Sequence, residues 1–243
     1  MTTLVKILIL FLMTLFLSSC GFDIQIGDFG TGERGNGEVV TENRNPDQEF
    51  TKISAQEGIM VYVTQAKDYA IKVEADENII DLIGTDIKDG RLKIHAIENI
   101  GRATKKVYVS LPNITSLKSS SGAHLNSENK IKTNELIVDG SSGANINLSI
   151  DTDEVEIDAS SGANLKLEGR ADETNIDASS GGNINAKNLE TEYCDADASS
   201  GGNLSIHVNK NLKADASSGG NISYMGDPTV EKNKSVSGSV HKY

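Results

Sequence analysis

Residues 177–184 read Asp177-Ala178-Ser179-Ser180-Gly181-Gly182-Asn183-Ile184, and the heart of this phrase returns five more times. S-S-G-A-H-L ends at Leu125, S-S-G-A-N-I at Ile146, S-S-G-A-N-L at Leu165, S-S-G-G-N-L at Leu204 and a second S-S-G-G-N-I at Ile222. The glycine after each serine pair is Gly122, Gly143, Gly162, Gly181, Gly201 or Gly219, at spacings of 21, 19, 19, 20 and 18 residues. A near-fixed period of this length marks a solenoid, in which each unit buries its apolar side only against its neighbours. Ser235-Val236-Ser237-Gly238-Ser239-Val240 is a degenerate seventh copy, of the kind a capping repeat requires.

Within a unit the apolar residues alternate, as at Val155, Ile157 and Ala159 before the turn and Leu165 and Leu167 after it. Period two means strands. Serines and a glycine between them supply a sharp corner, since glycine is free to take positive φ and serine bonds nearby backbone groups. A meander of antiparallel hairpins would point alternate units in opposite directions, and identical turns argue against it. The expected fold is therefore all-β, a right-handed parallel β-helix with coils of about 19 residues, its hand following the general crossover preference. Stacking about 4.8 Å apart would bring like residues into files, among them Asn145, Asn164, Asn183, Asn203 and Asn221, whose amides could bond up the stack. Cys194 falls seven places before its turn glycine, in one column with Leu136, Val155, Thr174 and Leu212. That column points inward, so the thiol is expected to be buried.

Outside the repeat the chain divides into three parts. Residues 1–19 carry Lys6 and the apolar run Ile7–Phe16 and end at Ser19, the pattern of a secretory signal, too short for a bilayer span of about 20 residues. Leu17-Ser18-Ser19-Cys20 resembles the bacterial lipobox, with Ser19 where glycine is commoner, which implies lipidation at Cys20. Residues 20–49, with six glycines up to Gly37, read as a flexible tether about 30 Å from end to end. Residues 50–112 read as a smaller antiparallel β region with strands near Ile59–Val63, Ala70–Glu74, Arg91–Ile97 and Val107–Leu111. Asp89-Gly90 signals a hairpin, Asn78–Ile83 suits a helical turn, and residues 113–243 hold the repeats.

The 243 residues carry a net charge of −12, and removal of residues 1–19 takes away Lys6 alone and leaves −13. Such a field repels polyanions, so nucleic acid is not an expected partner. Aromatics make up 5% and Trp is absent, which suits a core too narrow for rings.

The S-S-G-G-N-I phrase, the opening Phe50-Thr51-Lys52-Ile53 with Ile59-Met60-Val61-Tyr62-Val63, and the closing Tyr224-Met225-Gly226-Asp227-Pro228 together resemble the head-GIN family of auto-transporter adhesin domains, over residues 46–243 as one continuous domain. That resemblance implies a β-helical cell-envelope domain and carries over no catalytic residue.

Asp139, Asp158, Asp177, Asp197 and Asp215 each stand four residues before a turn glycine, on the outward side of the strand. Two carboxylates about 5 Å apart match a retaining glycosidase, so a β-helix enzyme acting on polysaccharide is one alternative. A catalytic pair needs two differently tuned environments, however, and a repeat offers the same one each time. No enzyme activity is expected. The same file could recruit calcium weakly as a stiffened structural stalk, a second alternative. His95, His124, His207 and His241 show no zinc spacing, and no further cofactor is expected. The primary expectation is a cell-envelope lipoprotein, held in the outer membrane through Cys20, whose β-helix acts as an adhesin-like binding and structural module for an envelope glycan or protein.

Overall fold

The computed structural model describes residues 32–233 and 237–243. The expected export signal, Cys20, residues 20–31 of the expected tether and part of the seventh copy lie outside these described residues. The strands in chain order are β1 (Val39–Arg44), β2 (Lys52–Ala55), β3 (Met60–Gln65), β4 (Ala70–Asp76), β5 (Ile83–Lys88), β6 (Arg91–Ala96), β7 (Lys105–Leu111), β8 (Ser116–Ser119) and β9 (His124–Ser127). They continue as β10 (Ile131–Gly140), β11 (Asn145–Ala159), β12 (Asn164–Ala178), β13 (Asn183–Ala198), β14 (Asn203–Ala216), β15 (Asn221–Met225), β16 (Thr229–Lys232) and β17 (Ser239–Lys242). One short 3-10 helix, Ile80–Leu82, falls within the stretch read as a helical turn.

Parallel pairing joins β10, β11, β12, β13 and β14 in succession, each residue beside its counterpart one coil away: Asn145 pairs with Asn164, Ile157 with Ile176, Ala178 with Ala198. The expected all-β parallel solenoid is the observed one. Each coil has two strand segments. Those before the serine-glycine turn form one wall, here the pre-turn sheet, and those after it form the facing post-turn sheet. Their inward residues close a single core. Val61, Leu125, Ile146, Leu165, Ile184, Leu204 and Ile222 run down one wall, and Ile53, Leu117, Val138, Ile157, Ile176, Ala196 and Ala214 down the other, all at most 2% exposed. Burying each Leu, Ile or Val contributes about 1.5–3 kcal/mol, gross of chain entropy. Cys194 lies among them between Thr174 and Leu212, and burial raises its thiol far above the ordinary range.

Both central turn residues are left-handed. In the copy at 160–163, Ser161 has φ 49° and Gly162 φ 74°, and the Ala163 N–H donates to Ser160 O at 3.0 Å. This is a type I′ β-turn, which matches strand twist and demands positive φ at both positions. Ser121, Ser142, Ser180, Ser200 and Ser218 repeat it at φ 48–52°. The turns are also tied to one another, since Gly122, Gly143, Gly181 and Gly201 each donate from N–H to a serine carbonyl of the next coil at 3.0–3.2 Å. At the opposite corner a buried threonine seals the bend: Thr152 Oγ1 donates to Asn134 O or Glu154 O, at 3.0 and 2.9 Å, and Thr191 Oγ1 to Asp172 O or Tyr193 O.

The region at 50–112 combines antiparallel pairs with layers of the stack. Antiparallel pairing joins β4 to β7 and β5 to β6, and the β5–β6 hairpin turns on Asp89 and Gly90 at φ 52° and 69°. Yet β2 lies parallel between β6 and β8, and β3 between β7 and β9. The stack thus crosses position 112 without a break, and Gly32–Tyr243 forms one compact unit. Gln56-Glu57-Gly58-Ile59 makes the same turn as the serine copies, with Glu57 at φ 60° and Gly58 at φ 68°.

The tether reading fails for part of its length. Val39–Arg44 is strand β1, antiparallel to β4, and Glu33 bridges Ile100. Buried Asp76 organises the approach, accepting Gly37 N–H at Oδ1 (3.1 Å) and Thr104 N–H at Oδ2 (2.8 Å). A Cβ on Gly35 would collide with that carboxylate, so this glycine permits close packing rather than freedom. Arg44 then pins β1 by donating to the Ile80 carbonyl at 2.9 Å and to that of Ile83.

A Cβ at Gly181 would meet nothing within 4 Å, so its requirement is conformational alone. Gly181→Val should cost about 1–3 kcal/mol through backbone strain, and Ile184→Val about 0.5–1.5 kcal/mol through one lost methyl. Thermal melts should place the glycine variant lower, by several degrees, and equal melting temperatures would contradict the turn assignment.

Candidate functional site

The two sheets present different chemistry to solvent. On the pre-turn sheet the five aspartates stand in one file, Asp139 beside Asp158, then Asp177, Asp197 and Asp215. Lys118 closes one end, its Nζ 2.8 Å from Asp139 Oδ2, and Asn233 Nδ2 donates to Asp215 Oδ2 at 3.0 Å at the other. Glu135, Glu154 and Glu173 form a second acidic file alongside. Partial burial raises the Asp158, Asp177 and Asp197 carboxyls above the usual carboxylate range, with neighbouring carboxylates adding to the effect at Asp158 and Asp197. The line of carboxylates follows the strand spacing, whereas calcium needs six to eight oxygens converging on a point. Among the described residues no group of three or more His, Cys, Asp or Glu side chains is placed to hold a metal ion.

The post-turn sheet is nearly neutral and rich in amides. Asn145, Asn164, Asn183, Asn203 and Asn221 stand in register, with His124 and Met60 continuing their file. Their expected bonding up the stack is not what the amides do. Nδ2 of Asn145, Asn164 and Asn203 turns back to the turn-glycine carbonyl two residues earlier, at 3.4, 3.3 and 3.1 Å. That carbonyl is the nearer acceptor, and the bond braces the type I′ turn.

A second outward file was missed in the sequence. It runs Tyr108, Tyr62, Asn126, Asn147, Lys166, Asn185, Ser205, Ser223 and His241. The available signal was period two, since from Tyr62 to Ser223 each member lies two residues beyond a member of the asparagine file. Here Asn147 Nδ2 does donate up the stack, to Asn126 Oδ1 at 2.9 Å. Asn126, Asn147 and Lys166 line a shallow groove of about 260 Å³. Aromatic rings stand at both ends of the file. Tyr62 and Tyr108 stack with centroids 5.0 Å apart, under the Lys72 ammonium, while Tyr243 lies beneath Lys187 Nζ and its hydroxyl is 2.9 Å from Ser205 Oγ. Of the other two histidines, His207 lies on β14 in register with Met225, and His95 sits on the other sheet with Nε2 2.6 Å from Asp86 Oδ2.

Residues 49–228 match the profile of the family described as "Putative auto-transporter adhesin, head GIN domain". The chain is similar in fold to the crystal structure of a "putative adhesin" from Bacteroides fragilis, at 21% identity and TM-score 0.79, covering 87% of this chain and 100% of that one. Another "putative adhesin", from Parabacteroides distasonis, aligns at 18% identity and TM-score 0.73, over 86% of this chain and 99% of that one. A "putative lipid binding protein" from the same organism aligns at 20% identity and TM-score 0.68, over 86% and 98%. No curated protein matches.

A carboxyl whose native pKa lies above its unfolded value binds more protons when folded, so it costs stability at neutral pH. That cost falls away as pH drops through the raised native value. At Asp177 the cause is desolvation of the partly buried carboxylate, a cost that an uncharged amide of the same shape avoids. Asp177→Asn should therefore raise the melting temperature at pH 7 by a few degrees, given about 2–4 °C per kcal/mol for a chain of this size. The gain over the parent should shrink on acidification towards pH 4. An advantage independent of pH would show that charge is not its source.

Proposed function

The chain belongs to the head GIN domain family, and from that premise we propose that it is an exported, adhesin-like binding module whose post-turn sheet holds an uncharged, extended envelope glycan. The observation that carries the reading is the second outward file, where amide and hydroxyl groups recur at one-coil spacing between aromatic rings. A polymer of repeating sugars offers hydroxyls at regular intervals, and amides can both donate to and accept from them. Tyrosine faces accept the apolar faces of sugar rings while their hydroxyls stay wet. The acidic sheet opposite repels anionic polymers, so the two walls sort partners by charge.

The sequence around Cys20 supports a lipid anchor, with the solenoid displayed from the outer membrane. A multiply acylated cysteine anchors stably where one chain alone does not. Cys20→Ser should leave the protein soluble or unprocessed, and a processed mutant that still partitions into detergent like the parent would remove the anchor from this reading.

The binding reading is tested by retention of the full chain on insoluble uncharged envelope polysaccharides, with release of reducing ends followed in parallel. Loss of a stacking ring or of an amide typically costs about 1 kcal/mol, so Tyr62→Ala and Asn147→Ala should each weaken retention roughly fivefold, with no sugar released. Retention unchanged in the double variant, or weakened by Asp177→Asn instead, would sink the assignment. Release of reducing ends would replace binding by hydrolysis.

A further inference from the structure

We propose that a groove on the pre-turn sheet, where β5, β6 and β2 lie side by side, is a binding site for a phosphoryl group. The acidic character of that sheet reverses here. Lys52, Lys88, Arg91 and Lys93 line an open groove of about 420 Å³, with Asp89 the single carboxylate among its lining residues. The sheet register brings them together, for Arg91 pairs with Lys52 on one side and Lys88 on the other, and Lys93 with Ser54. The volume falls in the range of about 300–1,000 Å³ typical of small-molecule sites.

Several lysines elsewhere on the solenoid are neutralised: Lys106, Lys118, Lys210 and Lys213 each sit on a carboxylate at 2.5–2.8 Å. Among the described residues no such ion pair engages Lys52, Lys88, Arg91 or Lys93. Asp86 is in register with Lys93, but its carboxylate is held by His95 Nε2 at 2.6 Å. Nη1 of Arg91 is shut off from solvent and has no hydrogen-bond partner. An unpaired buried donor on a charged group is costly, and a turn of the guanidinium toward an anion in the groove would give that nitrogen an acceptor.

The chemistry selects the anion. Four cations less Asp89 leave about three positive charges, too many for one carboxylate and suited to a phosphoryl group carrying about two negative charges. Arginine offers a planar fork that grips phosphate oxygens in pairs, while lysines act as adaptable point charges around it. The group could be borne by a free ion, a phosphorylated sugar or a lipid headgroup. This site is on the wall opposite the amide face, so the two assignments stand or fall separately.

The test is calorimetric titration of the full chain in neutral detergent with pyrophosphate, glucose 6-phosphate and dihexanoyl phosphatidic acid, at ionic strength fixed with sodium chloride. Saturable binding of at least one probe is expected, weakened tenfold or more by Arg91→Gln and by Lys93→Gln and unchanged by Lys213→Gln. The tightest probe then identifies the carrier of the group. Lys93 is exposed and unpaired, so its variant should fold even if the arginine variant does not. No saturation with any probe, or equal affinity in the Lys93→Gln variant, would overturn the site.

Discussion

A parallel ladder holds each residue about 4.8 Å from its counterpart in the next coil, so every outward side chain is chosen against a copy of itself. In the core this is favourable. Ile157 on Ile176, or Leu165 on Ile184, continues an apolar file from coil to coil. Just before each turn the space is smaller, and Gly140, Ala159, Ala178, Ala198 and Ala216 stack where a Cβ on Gly140 would already collide with Leu165. The scarcity of aromatics follows from that width. On the surface the same constraint is costly wherever the repeated residue is charged, and the aspartate file shows how the cost is contained. A cation at one end and an amide at the other absorb the terminal members, while Asp158, Asp177 and Asp197 in the middle titrate upward.

The serine-glycine turn lets the ladder run on through the corner. A type I′ turn needs two consecutive left-handed residues, and serine is not the residue that adopts that region most readily. What the serine copies add is continuity, because the glycine N–H reaches the next coil's serine carbonyl and the turns become rungs themselves. Asparagine two residues on braces the arrangement by donating to the glycine carbonyl. The asparagine file is therefore part of the turn, and in the proposed reading it is the file beside it that meets a ligand. Recognition, as proposed, and folding would then be divided between neighbouring columns of one wall.

The repeat was legible because period, parity and turn chemistry agreed at each of its copies, and the inward placement of Cys194 followed from counting alone. The N-terminal layers were less legible for a physical reason. Residues 91–111 form the last parallel layer, flanked by antiparallel β5 on one wall and by β4 and β1 on the other, and 52–65 lie one layer further in, so the chain enters the parallel stack at its second level and inserts 66–111 before returning at Ser116. That insertion breaks the period, and Glu57-Gly58 replaces Ser-Gly at the turn, so neither spacing nor wording announces a further copy. Strand β1 was hidden by its glycine-rich approach, since the carboxylate that makes close packing worthwhile is Asp76, about forty residues downstream. In the proposed binding face, alternation could have exposed Tyr62 and Asn147, but nothing local says that Tyr108, distant in sequence, lies flat against Tyr62.

Charge along the pre-turn sheet changes sign at one rung. Lys93, Ser54 and Lys118 lead into Asp139 and the acidic file, all in a single column. Lys118 serves the acidic side, bonded to Asp139, so the cations below it are left without carboxylates of their own. A file of like charges along a ladder thus does two things at once. It draws the nearest lysine upward as a counter-charge, and it leaves the layers beneath, where the repeat has not yet begun, free to keep Arg91 and its lysines unpaired. The irregular layers are where a solenoid can host a site that a repeat cannot, because only there does a residue have neighbours unlike itself.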